Sequence, residues 1–268
     1  MRTCLAAWLV LWTTCAFADD GKKQPVFRLD PVLDATFLAG TLLVAATSEA
    51  LVDTGEIEAQ LPDAQSELLG IDAWVAKRDS ASLRHAQTSD IGVYAAIAWA
   101  LADTALAGFG ERQDSALTYA TLYLESGVTT WFIANLFKMG VRRPRPRAYI
   151  ELRETGSVTD ETQEALSFYS LHTAMVATLC ATATYLAFTR DEPEWVRWVV
   201  LGGSIVATTV VGVGRMLSGA HFTTDVLAGV GAGIAVGVIV PHLHRVTAVR
   251  IVSSVDSKGG TIGVVGLF

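Results

Sequence analysis

The chain has 268 residues, of which 51% are hydrophobic and 18% are charged, and its formal net charge is −7. This composition is too apolar for a disordered protein and high in apolar residues for an ordinary soluble one. The negative net charge argues against nucleic acid as a partner.

The first 18 residues have the pattern of a secretory signal peptide. Arg2 supplies a positive start, an apolar run extends from Leu5 to Trp12, and small residues at Ala16 and Ala18 suit cleavage after Ala18. Cleavage removes one of the 20 basic residues, so 19 remain against 27 acidic ones, a net charge of about −8. The alternative is a first anchor that is not cleaved. We therefore expect an exported protein of a bacterial-type cell membrane, or of the periplasm if the helices form a soluble bundle.

Six apolar runs follow in chain order and predict six helices, at 32–52, 91–108, 117–137, 171–189, 198–214 and 226–240. Asp30 before Pro31 is a typical helix start, with an N-cap followed by proline at the first helical position. Two of the runs approach the roughly 20 residues that a bilayer crossing needs. Asp103 and Glu125 interrupt two other runs, and a carboxylate in lipid is costly. The sequence predicts an all-α six-helix bundle, embedded in a membrane, with a soluble or half-embedded bundle as the alternative.

Two further patterns lie towards the C-terminus. Gly229, Gly233 and Gly237 recur at intervals of four, and small residues at this spacing allow helices to approach closely. The segment after Arg245 is rich in Val and Ile with a turn at 256–260, which predicts a short β-hairpin. The expected organisation is a signal peptide at 1–18, a helical domain at 19–245 and a hairpin tail at 246–268.

Two polar stretches interrupt the apolar pattern in the middle of the chain. In KMGVRRPRP, which carries Lys138 and Arg145, two prolines stiffen a loop whose fixed cations suit phosphate. A basic loop at a membrane edge is the alternative. In SFYSLHTA, Ser170 is a natural N-cap and His172 lies in the first helical turn, where free N–H groups favour an anion. A single histidine at such a position is more often structural.

The third polar stretch, GRMLSGAHFTTD, carries Arg215, His221 and Asp225. We expect the Asp225 carboxylate to accept a hydrogen bond from one ring nitrogen of His221, which leaves the other nitrogen as a better nucleophile. An isolated pair of this kind is also compatible with a purely structural bond. In an up-down bundle the three polar stretches fall at the same end, so the sequence predicts that they form one phosphate-sized site.

Together, the three stretches resemble the motifs of the type-2 phosphatidic-acid phosphatase superfamily. That family carries Lys, six residues, Arg-Pro; then Pro-Ser-Gly-His; then Ser-Arg, five residues, His, three residues, Asp. The first stretch matches fully, and the third matches in every charged position, with Gly214 where the family often has Ser. The second keeps Ser170 and His172. It departs from the family at Tyr169, in place of Pro, and at Leu171, in place of Gly.

The resemblance spans roughly residues 32–240 and implies a metal-independent phosphatase of lipid phosphates or diphosphates, without a cofactor. It implies that His221 attacks phosphorus to form a phosphohistidine, that Asp225 orients His221, and that His172 protonates the leaving oxygen and then activates water. The substrate-binding residues that it implies are Lys138, Arg145, Ser170, Leu171 and Arg215.

Several alternatives stay open at this point. Within the same superfamily, a soluble periplasmic acid phosphatase and a vanadate-dependent haloperoxidase share these motifs, although the polar loops are short for the latter. A non-catalytic membrane protein that binds lipid phosphate is the alternative from another class. A metal site at the two histidines is disfavoured because the neighbouring cations would repel the ion. The expected partners are a phosphorylated lipid and the membrane. The sequence leaves the head group, the side of the membrane and the oligomeric state open.

Overall fold

A computed structural model gives the fold of the chain. It describes residues 25–54, 57, 60, 62, 68–78, 83–109, 114–157, 166–190, 192–246, 248–256 and 259–267. The signal peptide predicted at 1–18 lies outside the described residues and stays a prediction.

The described residues form eight helices and two strands. The helices are α1 (Pro31–Asp53), α2 (Gly70–Ala76), α3 (Leu83–Phe109), α4 (Ala116–Val141), α5 (Pro146–Thr155), α6 (Leu171–Thr189), α7 (Glu194–Leu217) and α8 (Thr223–Leu243). The strands are β1 (Ala248–Asp256) and β2 (Gly259–Leu267), which pair in antiparallel orientation with Ala248 opposite Leu267.

The predicted fold class, a six-helix bundle, is therefore wrong. The six apolar runs correspond to the long helices α1, α3, α4, α6, α7 and α8, but α2 and α5 are additional. These two have only 7 and 10 residues. A search for long apolar runs misses helices of this length, because they gain their stability from packing on their neighbours rather than from a long apolar face.

Helix α1 starts where the Asp30-Pro31 pattern predicted. Pro31 is the first helical residue, and the Asp30 side chain accepts hydrogen bonds from the backbone N–H groups of Val32 and Leu33. These bonds satisfy two of the four donors that a helix start leaves free. The predicted N-cap is thus confirmed.

Contacts between helix ends fix the direction of each long helix. The ends of α1 and α4 lie together, since Asn135 donates a hydrogen bond to Glu49. The start of α3 lies beside the end of α7, where Arg215 donates to Ser89. The starts of α6 and α8 also meet, because the backbone N–H of Ser170 donates to the carbonyl of Asp225. One pole of the bundle therefore gathers the ends of α1, α4 and α7 and the starts of α3, α6 and α8.

Helices α6 and α8 are packed backbone to backbone along the glycine stripe. A Cβ atom added at Gly233 would lie 2.4 Å from the carbonyl oxygen of Ala174, and one at Gly237 equally close to that of Thr178. The Thr178 hydroxyl donates to the Gly233 carbonyl at 3.1 Å. The close approach predicted from the glycine spacing is confirmed, and it fixes the start of α8 against the start of α6.

Five of the long helices, α1, α3, α6, α7 and α8, are long and apolar enough to cross a membrane. Their outward faces carry large apolar side chains, and Trp99, Trp198 and Leu227 are each more than half exposed. Such an apolar exterior is expected where lipid, rather than water, surrounds the helices. The chain is accordingly a membrane protein.

Candidate active site

His221 lies in the short turn between α7 and α8 and is 2% exposed. Its Nδ1 atom is 2.7 Å from the backbone carbonyl oxygen of Ser167. A carbonyl only accepts hydrogen bonds, so Nδ1 carries the proton and Nε2 keeps a free electron pair. The turn therefore presents the imidazole in the tautomer that a nucleophile needs.

The hydrogen bond expected between Asp225 and His221 is not formed, since the two atoms are 4.0 Å apart. The Asp225 carboxylate instead accepts from the Ser167 hydroxyl at 2.5 Å and from the backbone N–H of Phe222 at 2.8 Å. The physical reason is its place in the first turn of α8, where it caps the free N–H groups of its own helix. Asp225 therefore acts on His221 indirectly, through Ser167 and through the backbone of Phe222, the next residue.

Arg143 ties this region to α2. It donates to Asp225 at 2.7 Å and to Asp72 at 2.8 Å, and its guanidinium group lies 4.0 Å from the centre of the Phe222 ring. Asp72 is fully buried and also accepts from the backbone N–H of Thr224. Sequence reasoning missed Asp72 and gave Arg143 no specific role, because the family motif names neither position.

Three cations lie near enough to His221 to influence its pKa. Burial lowers the pKa of His221 well below its usual range, and the nearby positive charges lower it further. These charges belong to Arg145, Arg215 and Lys138. Arg145 is the N-cap of α5, directly before Pro146, and both Arg145 and Arg215 are 8% exposed. The structure thus brings the predicted phosphate-binding cations to the predicted nucleophile.

His172 lies in the first turn of α6 at the same pole. Its Nε2 atom is 3.0 Å from the Asp90 carboxylate, which is also 3.7 Å from Arg215. Asp90 therefore joins the second histidine to one of the cations. Sequence reasoning missed Asp90 because the apolar run starts at Ile91, whereas α3 starts at Leu83 and carries Asp90 in its second turn.

Ser170 and Leu171 form the start of α6. Ser170 is the N-cap, as predicted, but its hydroxyl pairs with Thr173 at 3.0 Å rather than with a backbone N–H group. Leu171 is half-buried and packs against the cluster of Ala134, Tyr169 and Ala174. Its side chain therefore belongs to an apolar cluster between α4 and α6.

Aromatic rings lie beside this cluster. The ring centre of Phe137 is 5.5 Å from that of Tyr169 and 6.2 Å from that of Phe168. Phe137 is 47% exposed and precedes Lys138 directly. The charged site therefore has an apolar, partly exposed border.

The family model of the PAP2 superfamily matches residues 119–247. This part of the chain is therefore similar to the PAP2 superfamily, as the three motifs predicted. The matched region contains every predicted site residue from Lys138 to Asp225, whereas Asp72 and Asp90 lie before it. This match supports phosphatase chemistry at the level of the superfamily.

One solved structure is similar to this chain: "Crystal structure of the first transmembrane PAP2 type phosphatidylglycerolphosphate phosphatase from Bacillus subtilis". The two chains are 18% identical, with 78% of this chain and 94% of the Bacillus chain covered, and the TM-score is 0.45. No curated protein matches the chain significantly.

Proposed function

We propose that the chain is a phosphatase that hydrolyses the phosphate monoester or diphosphate of a membrane lipid through a phosphohistidine on His221. The observation that supports this most strongly is the convergence of Lys138, Arg145 and Arg215 on a buried histidine. Cations around an uncharged imidazole suit attack on a phosphate, because they hold the anion without competing for the electron pair of the nucleophile.

In the first step, the Nε2 atom of His221 forms a bond to phosphorus while the bond from phosphorus to the leaving oxygen breaks. The imidazole becomes positively charged, and the Ser167 carbonyl at 2.7 Å favours this form because Nδ1–H continues to donate to it. Asp225 is a positioning residue, since it holds the Ser167 hydroxyl.

His172 donates a proton to the leaving oxygen in this step. In the second step it takes a proton from water as the water oxygen attacks phosphorus, the N–P bond breaks and inorganic phosphate leaves. Asp90 at 3.0 Å fixes the direction of the His172 ring. The two histidines thus have separate tasks, one as nucleophile and one as acid and base.

The lipid part of the substrate is proposed from the surroundings of the site. The chain is a membrane protein, and apolar aromatic side chains, including the exposed Phe137, border the cations. A phosphate head group held by the cations would leave its acyl or prenyl chain beside the aromatic cluster and the lipid phase. Phosphatidic acid, a polyprenyl diphosphate, phosphatidylglycerol phosphate and lipid A are substrates of this kind.

The decisive variant is His221→Ala. We expect phosphate release from phosphatidic acid in mixed micelles to fall by about three orders of magnitude or more, because the nucleophile is lost. The wild-type chain should keep its activity in EDTA. His242→Ala is the matched control: His242 lies at the end of α8, pairs with Tyr185 at 2.9 Å, and is far from the site.

Equal phosphate release by His221→Ala and the wild type would contradict the proposal. Trapping with a phosphate-labelled lipid separates catalysis from binding. We expect an acid-labile phosphoprotein in the wild type that is absent in His221→Ala. A wild-type chain that retains the lipid without releasing phosphate would instead be a lipid-phosphate-binding protein.

A further inference from the structure

A second group of ionisable side chains lies at the opposite pole of the bundle from His221. Asp34 comes from the first turn of α1, Glu125 from α4, and His244 follows the last residue of α8. One oxygen or nitrogen atom from each lies within 4.8 Å of the other two. None of the three takes part in the proposed phosphatase chemistry, so the group needs an explanation of its own.

The distances within this group suit a shared metal ion. The Nε2 atom of His244 is 3.4 Å from an oxygen of Asp34 and 3.3 Å from an oxygen of Glu125. Zinc binds nitrogen and carboxylate oxygen at about 2.0–2.2 Å, so two ligands of a tetrahedral ion lie about 3.3–3.5 Å apart. Both nitrogen–oxygen distances therefore agree with ligands of one tetrahedral ion.

The surroundings hold the ligand atoms in place. The Nδ1 atom of His244 is 2.9 Å from the carbonyl oxygen of Val240, so Nδ1 carries a proton and the Nε2 side of the ring faces the two carboxylates. The other oxygen of Asp34 accepts from the backbone N–H of Asp30 at 2.9 Å. Outer hydrogen bonds of this kind to a histidine and a carboxylate are a regular feature of metal sites.

Charge favours an ion as well. When Nε2 carries no proton, three acceptor atoms face one another, and two of them belong to carboxylates. The Glu125 side chain is only 3% exposed, and a buried charge without compensation is costly. A protonated His244 would balance one carboxylate, whereas a divalent ion balances both.

We propose that Asp34, Glu125 and His244 bind one zinc ion, which ties α1 to α4 and α8. Imidazole and carboxylate ligands together suit zinc better than calcium or magnesium, which prefer oxygen ligands alone. Among the described helices, α1 is the one nearest the N-terminus, and only 17% of its most apolar stretch is buried inside the protein. Coordination of the ion by Asp34 in the first turn would therefore hold α1 against α4 and α8, although few residues of α1 are buried.

Solvent reaches the group from outside. His244 lines a surface cavity of about 540 Å³, together with Asp30 and Pro31. The cavity gives an ion access to His244, the one proposed ligand that lines it. Arg28 and Arg245 line the same cavity, and their charges disfavour loosely held cations. Occupancy must therefore come from direct coordination by the three side chains.

The test uses the untagged full chain in detergent, dialysed against buffered Zn²⁺. We expect one zinc per chain by elemental analysis, and a thermal midpoint that rises with the free Zn²⁺ concentration. Glu125→Gln and Asp34→Asn keep the size of the side chain but remove a charged ligand, so each should weaken zinc binding at least tenfold. Co²⁺ should give the visible absorption of a four-coordinate ion in the wild type only.

His242→Ala is the matched control, since it removes a histidine from the same helix end and should keep one zinc per chain. No zinc on the wild type, or equal zinc on the wild type and both carboxylate variants, would overturn the proposal. The group would then be an ion pair of protonated His244 with two carboxylates. Phosphate release in EDTA at low temperature tests the proposed function separately, because the zinc site lies at the other pole.

Discussion

At the scale of single residues, the environment of His221 shows how an indirect contact can position the proposed nucleophile. The Ser167 carbonyl fixes the tautomer, and the Asp225 carboxylate fixes Ser167. Asp225 is itself held by Arg143. A substitution of Asp225 would therefore affect His221 by moving residues 167–170, which hold the imidazole ring. It would not remove a carboxylate that contacts the ring directly.

The cations around His221 make a prediction about pH. Because its pKa lies well below the usual value of about 6.5, the acid limb of kcat/KM should lie below pH 6.5 in the wild type. Arg145→Gln removes a positive charge, so the protonated imidazole becomes less unfavourable and its pKa rises. We expect the acid limb to move to higher pH and kcat/KM to fall at every pH.

Arg142→Gln is the control for this pH profile. Arg142 lies in the same loop but is exposed, and it donates to the backbone carbonyl of Met139. Its removal should leave the acid limb in place. An unchanged limb in Arg145→Gln, or the same displacement in Arg142→Gln, would show that Arg145 does not govern the ionisation of His221.

The sequence predicted which charged residues gather at this pole of the bundle, but it did not predict their partners. Lys138, Arg145, Arg215 and the two histidines belong to motifs that can be recognised by their spacing within one part of the chain. The contacts of Asp72 and Asp90 depend on helices that are distant in sequence. The Asp225 contact was mispredicted because spacing of four residues suggests a direct pair, whereas the carboxylate satisfies the backbone of its own helix first.

At the scale of elements, long apolar runs predicted the six long helices, and the short helices α2 and α5 were missed for lack of such runs. The closest packing is between α6 and α8, where glycines of α8 meet the backbone of α6. This contact aligns His172 at the start of α6 with His221 just before α8. The site therefore depends on small residues that lie well away from it.

A pair of glycine variants tests this dependence. In Gly233→Ala the new Cβ would lie 2.4 Å from the Ala174 carbonyl oxygen, so the helices must separate. We expect the free energy of unfolding to fall by about 1–3 kcal/mol, with a lower thermal midpoint in detergent. Gly231→Ala is the control, because nothing lies within 4 Å of its Cβ position. Equal midpoints for the two variants would mean that α6 and α8 are not in close contact.

At the scale of the whole molecule, the polar groups are concentrated at two poles and along the inside of the bundle, and large apolar side chains cover the outside. Buried polar residues such as Asn135, Thr130 and Ser126 lie on α4, which packs against α1, α3, α6 and α8. This arrangement is the reverse of a soluble bundle, in which the outer faces are polar. It places the proposed phosphate chemistry at one end of a lipid-facing bundle and the proposed zinc site at the other.

The lipid-facing surface is tested by lysine substitution on α7. Val206 lies near the middle of this helix and is 62% exposed, whereas Trp195 lies at its start and is 68% exposed. On a soluble protein, lysine at either exposed position would change stability little. In a membrane, Val206→Lys places a charge at mid-depth, which costs about 2.5–3.5 kcal/mol, while Trp195→Lys can extend its amine to the interface.

In lipid nanodiscs we therefore expect a clearly lower thermal midpoint for Val206→Lys than for Trp195→Lys. Equal midpoints would favour a bundle whose α7 face lies in water, because only a lipid environment makes the depth of the charge matter.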